Sequence, residues 1–161
     1  MQPRVRPFED RDADAVADLS LRAWAPVFAS IEQVMGSGIF EGLYPEGWQE
    51  SQGRSVREVC ASLEKPVWVA EVDGTIAGFV AVEFHTESSM GEIYMLAVDP
   101  DHQGAGIGTA LTEFALGRIE DAGMEIAMVE TGGDPGHAPA RHTYEKAGYT
   151  QLPIARYFKK L

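Results

Sequence analysis

The chain has 161 residues, 45% of them hydrophobic and 24% charged, which suits one compact domain and excludes uniform disorder. Thirteen basic against 25 acidic side chains give a net charge of −12; phosphate backbones are held by basic patches, so a nucleic-acid partner is excluded. No apolar run approaches the ~20 residues of a bilayer span, and the single cysteine, Cys60, leaves no internal disulfide.

The opening MQPRVRPFEDRD is charged where a leader would be apolar, so a reduced, cytoplasmic protein with no membrane partner is expected. A first helix should follow Asp10–Asp14, because Ala15, Val16, Leu19 and Ala23 recur at helical spacing behind N-terminal acids. Pro26 should end it. Residues 31–45 hold short helical patterns broken by Gly36, Gly38 and Gly42, and Trp48 to Leu63 reads as another helix with Val56, Val59, Cys60 and Leu63 on one face. The pattern then turns to strands. Val67–Val72 and Thr75–Phe84 flank Asp73-Gly74, a strong hairpin signal. Gly91–Val98 is almost continuously apolar, as a central strand would be, and Asp99-Pro100 closes it.

Ile107, Leu111, Phe114 and Ala115 mark an amphipathic helix that ends near Ala122-Gly123. A strand over Ile126–Thr131 follows, then a short helix, Ala138–Ala147, with Pro139 in its first turn and Gly148 beyond its end. Tyr149–Leu152 and Ile154–Lys160 read as the last strands; Ala155–Leu161 either pairs across a homodimer or finishes the sheet of one chain. The order predicts an α/β sheet covered on both faces, in a single domain over residues 1–161.

Charge is unevenly spread. No Lys or Arg lies between Lys65 and Arg118, a stretch holding Glu71, Asp73, Glu83, Glu87, Glu92, Asp99, Asp101 and Glu113. A second such gap, Arg22 to Arg54, contains Glu32, Glu41, Glu46 and Glu50 together with Trp24, Phe28, Phe40, Tyr44 and Trp48. Acidic and aromatic surface together suit an organic cation. The alternative is a helical subdomain that packs its rings inward and keeps its carboxylates wet.

The most informative segment is Gln103-Gly-Ala-Gly-Ile-Gly108, where a buried strand runs into a glycine-punctuated turn that opens a helix. Such a turn aims successive N–H groups into one concavity, and the unpaired donors of the first helical turn add to this anion trap. Backbone amides need no lysine, so the acidic composition is no objection. A dinucleotide fingerprint G-x-G-x-x-G fails, because the third glycine is Gly108 and residue 109 is Thr109; a P-loop fails because no G-K-[ST] follows.

Two motifs in order, Gln103-x-x-Gly106-x-Gly108 after a strand ending Val-Asp-Pro, and Ala140-x-x-x-Tyr144-x-x-x-Gly148-Tyr149 downstream, make residues 67–158 resemble the GNAT superfamily of acyl-CoA-dependent N-acetyltransferases. Residues 1–65 match only in being helical, and would form the acceptor side. The resemblance implies a mixed, mostly antiparallel central sheet with helices on both faces and a splay between its two parallel strands. It implies acetyl-CoA as cosubstrate and no metal. The amides of Gln103, Gly104, Ala105, Gly106, Ile107, Gly108 and Thr109 would hold its pyrophosphate, and Leu96, Ala97 and Val98 would pair with the pantetheine arm. An amine attacks the thioester directly, so no enzyme nucleophile is needed.

The amine must first lose a proton. Glu92 is the candidate base, with an edge-facing or solvating carboxylate as the alternative. Tyr144 matches the family's proton donor to the leaving thiolate, against a tyrosine merely packed on the sheet; an amide near Ala97 would meet the oxyanion. His137 stands where the family often has Asn, and is read as a cofactor contact or a helix cap, with base chemistry as a further option. Arg141 and Lys146 either reach a CoA phosphate or are solvated. His102 and His142 read as solvated residues, His85 either faces the acceptor pocket from its hairpin strand or lies at the surface, the second being favoured, and no metal-ligand spacing is present. The acceptor is expected to be a small cationic amine meeting Trp24, Phe28, Tyr44 and Trp48. A protein or peptide amine, or an acyl-CoA-binding module without turnover, is the alternative.

Overall fold

The computed structural model describes residues 2–161. A five-stranded sheet has the order β1 (Arg4–Pro7), β2 (Val67–Val72), β3 (Thr75–His85), β4 (Met90–Val98) and β5 (Ile126–Val129). All neighbours are antiparallel except β4 and β5, which run parallel. One face carries α1 (Ala13–Met35), α2 (Ser37–Leu43) and α3 (Trp48–Ala61); the other carries α4 (Ile107–Asp121), and α5 (Ala138–Lys146) follows β5. The sheet thus separates two cores. Val16, Leu19, Val56, Phe79 and Ala97 fill the first, and Val80, Val82, Ile93, Leu111 and Ile119 the second.

The β2–β3 hairpin turns on Asp73 and Gly74, both at positive φ (52° and 77°), as a two-residue turn matching strand twist requires. On β4 the pairing with β3 slips by one residue at Tyr94: Ala81 faces Met95 but Val82 faces Ile93. This bulge inverts the alternation. Ile93 faces the α4 core, whereas Met95 and Ala97 face the α1 core. A straight strand would send all three to one side. Close packing on the α4 side depends on Gly91, where a Cβ would stand 2.5 Å from Cγ2 of Ile119.

Three expectations are corrected, and one strand, β1, had not been anticipated. The first helix does not end before Pro26 but continues to Met35. An internal proline loses one backbone bond and costs about 3 kcal/mol, here against the burial of Phe28 and of the core residues before it. β1 has no apolar run to announce it. Its Arg6 is held instead by long-range partners, bonding Asp12 at 2.7 and 2.9 Å and Glu71 at 2.8 Å. The helix expected over Trp48 to Leu63 stops at Ala61, leaving Leu63 exposed. The two C-terminal strands do not form. Residues 149–161 take no regular structure, and Leu152, Ile154 and Tyr157 are exposed. A strand needs a neighbour's ladder, and Pro153 lacks the N–H to join one.

One ion pair ties the helical face to the sheet's functional end. Arg22 of α1 donates to both oxygens of Asp99 at 2.9 and 2.7 Å, and Asp99 also accepts from the Asp101 N–H at 2.9 Å. The Arg22 guanidinium holds the buried Asp99 carboxyl below the usual carboxylate range. Arg22→Ala strands that charge, so unfolding free energy at neutral pH should fall by about 2 kcal/mol. This is less than the ~3–5 of a fully buried pair, because the guanidinium is partly wet. A carboxyl with lowered pKa stabilises the fold above its ordinary titration range, and the gain is lost as pH falls through the folded value. Urea titrations should therefore show the difference between native and variant shrinking below about pH 3.8.

Candidate active site

Gly104 and Gly106, at φ +82° and +81°, bend the chain out of β4 and into α4. At neither glycine would a Cβ meet anything within 4 Å, so the turn opens outward. The N–H groups of Gly106, Ile107, Gly108 and Thr109 have no acceptor among the described residues, and α4 has no side-chain cap. Four unpaired donors at the positive end of a 15-residue helix are able to hold an anion. Gln103 bonds back to the Val98 carbonyl at 3.4 Å, bracing the turn. Gly108 plays a lesser part, since a Cβ there would touch only Cγ2 of Val98 at an ordinary 3.7 Å.

Strands β4 and β5 pair only from Met90↔Ile126 to Ile93↔Val129. Beyond the Tyr94 bulge, Met95, Leu96, Ala97 and Val98 keep β3 on one side and lose β5 on the other. The stretch leading into this turn therefore has one free ladder edge, which can accept an extended ligand as a strand would.

Glu92 sits just before this divergence, opposite Glu83. Its Oε1 accepts from Nε2 of His85 at 2.8 Å. His85 is thus half-buried and bonded, rather than a free surface residue. One oxygen of Glu83 lies 3.9 Å from Nζ of Lys65, which also stands 5.0 Å from the Tyr94 ring centre. Ligand atoms of Glu83, His85 and Glu92 fall within 4.8 Å of one another, a cluster made by strand register and hidden from linear spacing.

Tyr144 lies on α5 with its ring 5.9 Å from that of Tyr149, edge to face. Burial pushes both phenols up to about 12. The Tyr149 hydroxyl is enclosed without a hydrogen-bond partner. No hydrogen bond from the Tyr144 hydroxyl is formed among the described residues.

The loop before α5 is clamped to α1. The Ser30 hydroxyl donates to Asp134 at 2.6 Å and accepts from the Gly136 N–H at 2.9 Å. Asp134 also accepts from Nδ1 of His137. Burial works to raise the Asp134 carboxyl, but the Ser30 and His137 bonds outweigh it and leave it below the ordinary range. Arg141 donates to the carbonyls of Gly132 at 2.6 Å and Asp134 at 2.8 Å. Its Nη1 is thus engaged in holding this loop.

A cavity of about 670 Å³ opens beside the same helix, lined by Phe28, Glu32, Glu41, Tyr44 and Trp48 among others. Phe28 stacks on Trp48 at 4.5 Å and meets Tyr44 edge-on at 5.3 Å. Trp24 lies elsewhere, edge-on to Phe79 at 6.3 Å against the α1 core.

A family model described as the acetyltransferase (GNAT) family matches residues 37–149. The chain belongs to the GNAT family of acetyltransferases. It is 33% identical over 119 residues to a mycothiol acetyltransferase of Cellulomonas flavigena, covering 64% of this chain and 34% of that protein. It is 29% identical over 160 residues to the mycothiol acetyltransferase of Thermobispora bispora, covering 94% of this chain and 48% of that one. The chain thus spans between about a third and a half of these two curated relatives. Among solved structures it is similar to the aminoglycoside N-acetyltransferase AAC(6')-Iy in complex with CoA-S-monomethyl-acetylneamine. That match has TM-score 0.65 and 12% identity, over 100% of this chain and 99% of the other.

Within this GNAT fold, Ser30, Asp134 and the Arg22–Asp99 pair are the residues that reading the sequence missed. Ser30 stands 104 positions from Asp134 and Arg22 stands 77 from Asp99, and no local pattern marks either pair. The one available signal was Asp134-Pro135, an acid before a proline at a helix entry. His102 is half-buried with an enclosed, unpartnered Nδ1, against the expectation of a solvated ring.

Proposed function

We propose that the chain transfers the acetyl group of acetyl-CoA to a primary amine of a small cationic molecule, by direct attack in a ternary complex. The observation that carries this reading is the row of four acceptor-less N–H groups at Gly106 to Thr109, opening off a strand whose edge β5 has left free. These donors fit a diphosphate in number and charge, and the open space at Gly104 and Gly106 admits it. Gln103 to Thr109 would hold the pyrophosphate, and Leu96, Ala97 and Val98 the amide-bearing arm. When bound, the cosubstrate supplies an activated acyl group on sulfur.

The chain's own residues manage protons and orientation. Glu92 takes a proton from the acceptor's ammonium, freeing the lone pair that must attack. Tyr144 donates to the departing sulfur, and the Ala97 amide meets charge growing on the acyl oxygen. His137, at the N-cap position of α5 but bonded to Asp134 rather than capping, orders the loop that leads to Tyr144, with Arg141 bracing the same loop. Cys60 takes no part: burial raises its thiol to about 11, so it is a poor nucleophile.

Phe28, Tyr44 and Trp48, rimmed by Glu32 and Glu41, support a cationic acceptor through ring faces and Coulomb attraction. The mycothiol acetyltransferase name carried by the relatives also favours a small molecule. Thiol release from acetyl-CoA, followed across amino sugars, polyamines and a peptide N-terminus, tests the reading; release with none of them overturns it. Glu92→Gln should lower kcat about 30-fold near neutral pH, with acetyl-CoA affinity kept. An unchanged kcat would retire the base assignment.

A further inference from the structure

We propose that His85 is a positioning residue for Glu92, a role that rests on Glu92 being the base. The antiparallel register sets His85 opposite Met90 and Glu83 opposite Glu92, so His85 reaches Glu92 diagonally across the β3–β4 ladder. A carboxylate can only accept, so Nε2 of His85 carries the hydrogen of the 2.8 Å bond to Oε1. Oε2 has no partner among the described residues, and the Glu92 side chain is only 15% exposed. The bond thus spends one oxygen to fix the carboxylate's rotamer and leaves the other oxygen free. In the reaction an N–H bond of the acceptor's ammonium breaks, an O–H bond forms at Oε2, and the nitrogen keeps the electron pair. The other charged groups facing the pair are Glu83 and, beyond it, Lys65 at 3.9 Å. Neither reaches Glu92 with a hydrogen bond, so the imidazole alone orients it.

A base held within about 0.5 Å of its working geometry loses most of its advantage when it can rotate away. His85→Ala should therefore lower kcat about tenfold, with KM for acetyl-CoA and for the amine within about twofold of native. His85→Gln retains an N–H donor of similar reach and should recover kcat to within about threefold. The same His85→Ala change made on top of Glu92→Gln should cost nothing further, because there is no base left to orient. Thermal unfolding of each variant separates these effects from loss of fold. The proposal is overturned if His85→Ala keeps kcat while Glu92→Gln does not, or if its loss persists undiminished in the double variant. Full activity in Glu92→Gln alone overturns the base reading and this inference with it.

Discussion

Replacing Gly106 by valine should weaken coenzyme A binding by about 100-fold or more while leaving the protein folded. Gly106 sits at φ +81° as the N-cap of α4. A β-branched residue there carries strain of about 1–3 kcal/mol, and the turn relieves it by rotating the peptide groups that carry the Gly106 to Thr109 N–H groups. Each charge-assisted bond lost to a phosphate is worth about 1.5–3 kcal/mol, and about 1.4 kcal/mol is a factor of ten. No protein atom lies within 4 Å of the added Cβ. The cost thus comes from the backbone of the turn rather than from a clash in the core, and the loss of unfolding free energy should not exceed that strain of about 1–3 kcal/mol.

Two companion variants make the experiment discriminating. Gly106→Asn tolerates left-handed φ better and should lose only about tenfold. Gly108→Ala meets Val98 at an ordinary contact distance and should stay within about threefold of native. Calorimetric titration with coenzyme A reads all three. Native affinity in Gly106→Val would place the anion site elsewhere.

The parts of the fold legible beforehand were those written in adjacent residues. Asp73-Gly74 names its own turn, the apolar run over Gly91–Val98 names a buried strand, and the glycines after Gln103 name a bend before a helix. Features made by long-range partners were not legible. Pro26 argues for a helix end, and the packing of Phe28 against Tyr44 and Trp48 accompanies α1 past it. β1 exists because Arg6 finds Asp12 and Glu71. The C-terminal segment has strand-like residues and no strand to lie against, so composition misleads there.

The site divides in the same way. Gly106, Gly108 and Tyr144 stand out by motif spacing. The Ser30–Asp134 clamp and the His85–Glu92 bond depend on how β3, β4 and α1 are brought together. The Tyr94 bulge is decisive, because it lets Glu92 share a face with Ala97 although five positions separate them. A straight strand would put residues an odd number apart on opposite faces.

Tyr144→Phe should cut kcat by about 100-fold with coenzyme A affinity and thermal stability unchanged. The stability half of this follows from hydrogen bonding: the phenol has no partner among the described residues, so removing its oxygen breaks nothing in the fold. The kinetic half follows from burial. A phenol held at about 12 stays protonated across the working range, so Tyr144 contributes no basic limb to the rate profile below about pH 11. A thiol titrates near 8.5 when unperturbed, so full transfer from so weak an acid to the finished thiolate runs uphill.

On the proposed mechanism Tyr144 would act by keeping a hydrogen bond on the sulfur while charge grows there, in surroundings where burial strengthens that bond. The consequence is measurable. Acetyl thioesters of more acidic thiols need less of this help, so the deficit of Tyr144→Phe should shrink steadily along such a series. A deficit that stays constant would mean the hydroxyl orders the site without touching the leaving group. A variant within about threefold of native would remove the donor role from Tyr144.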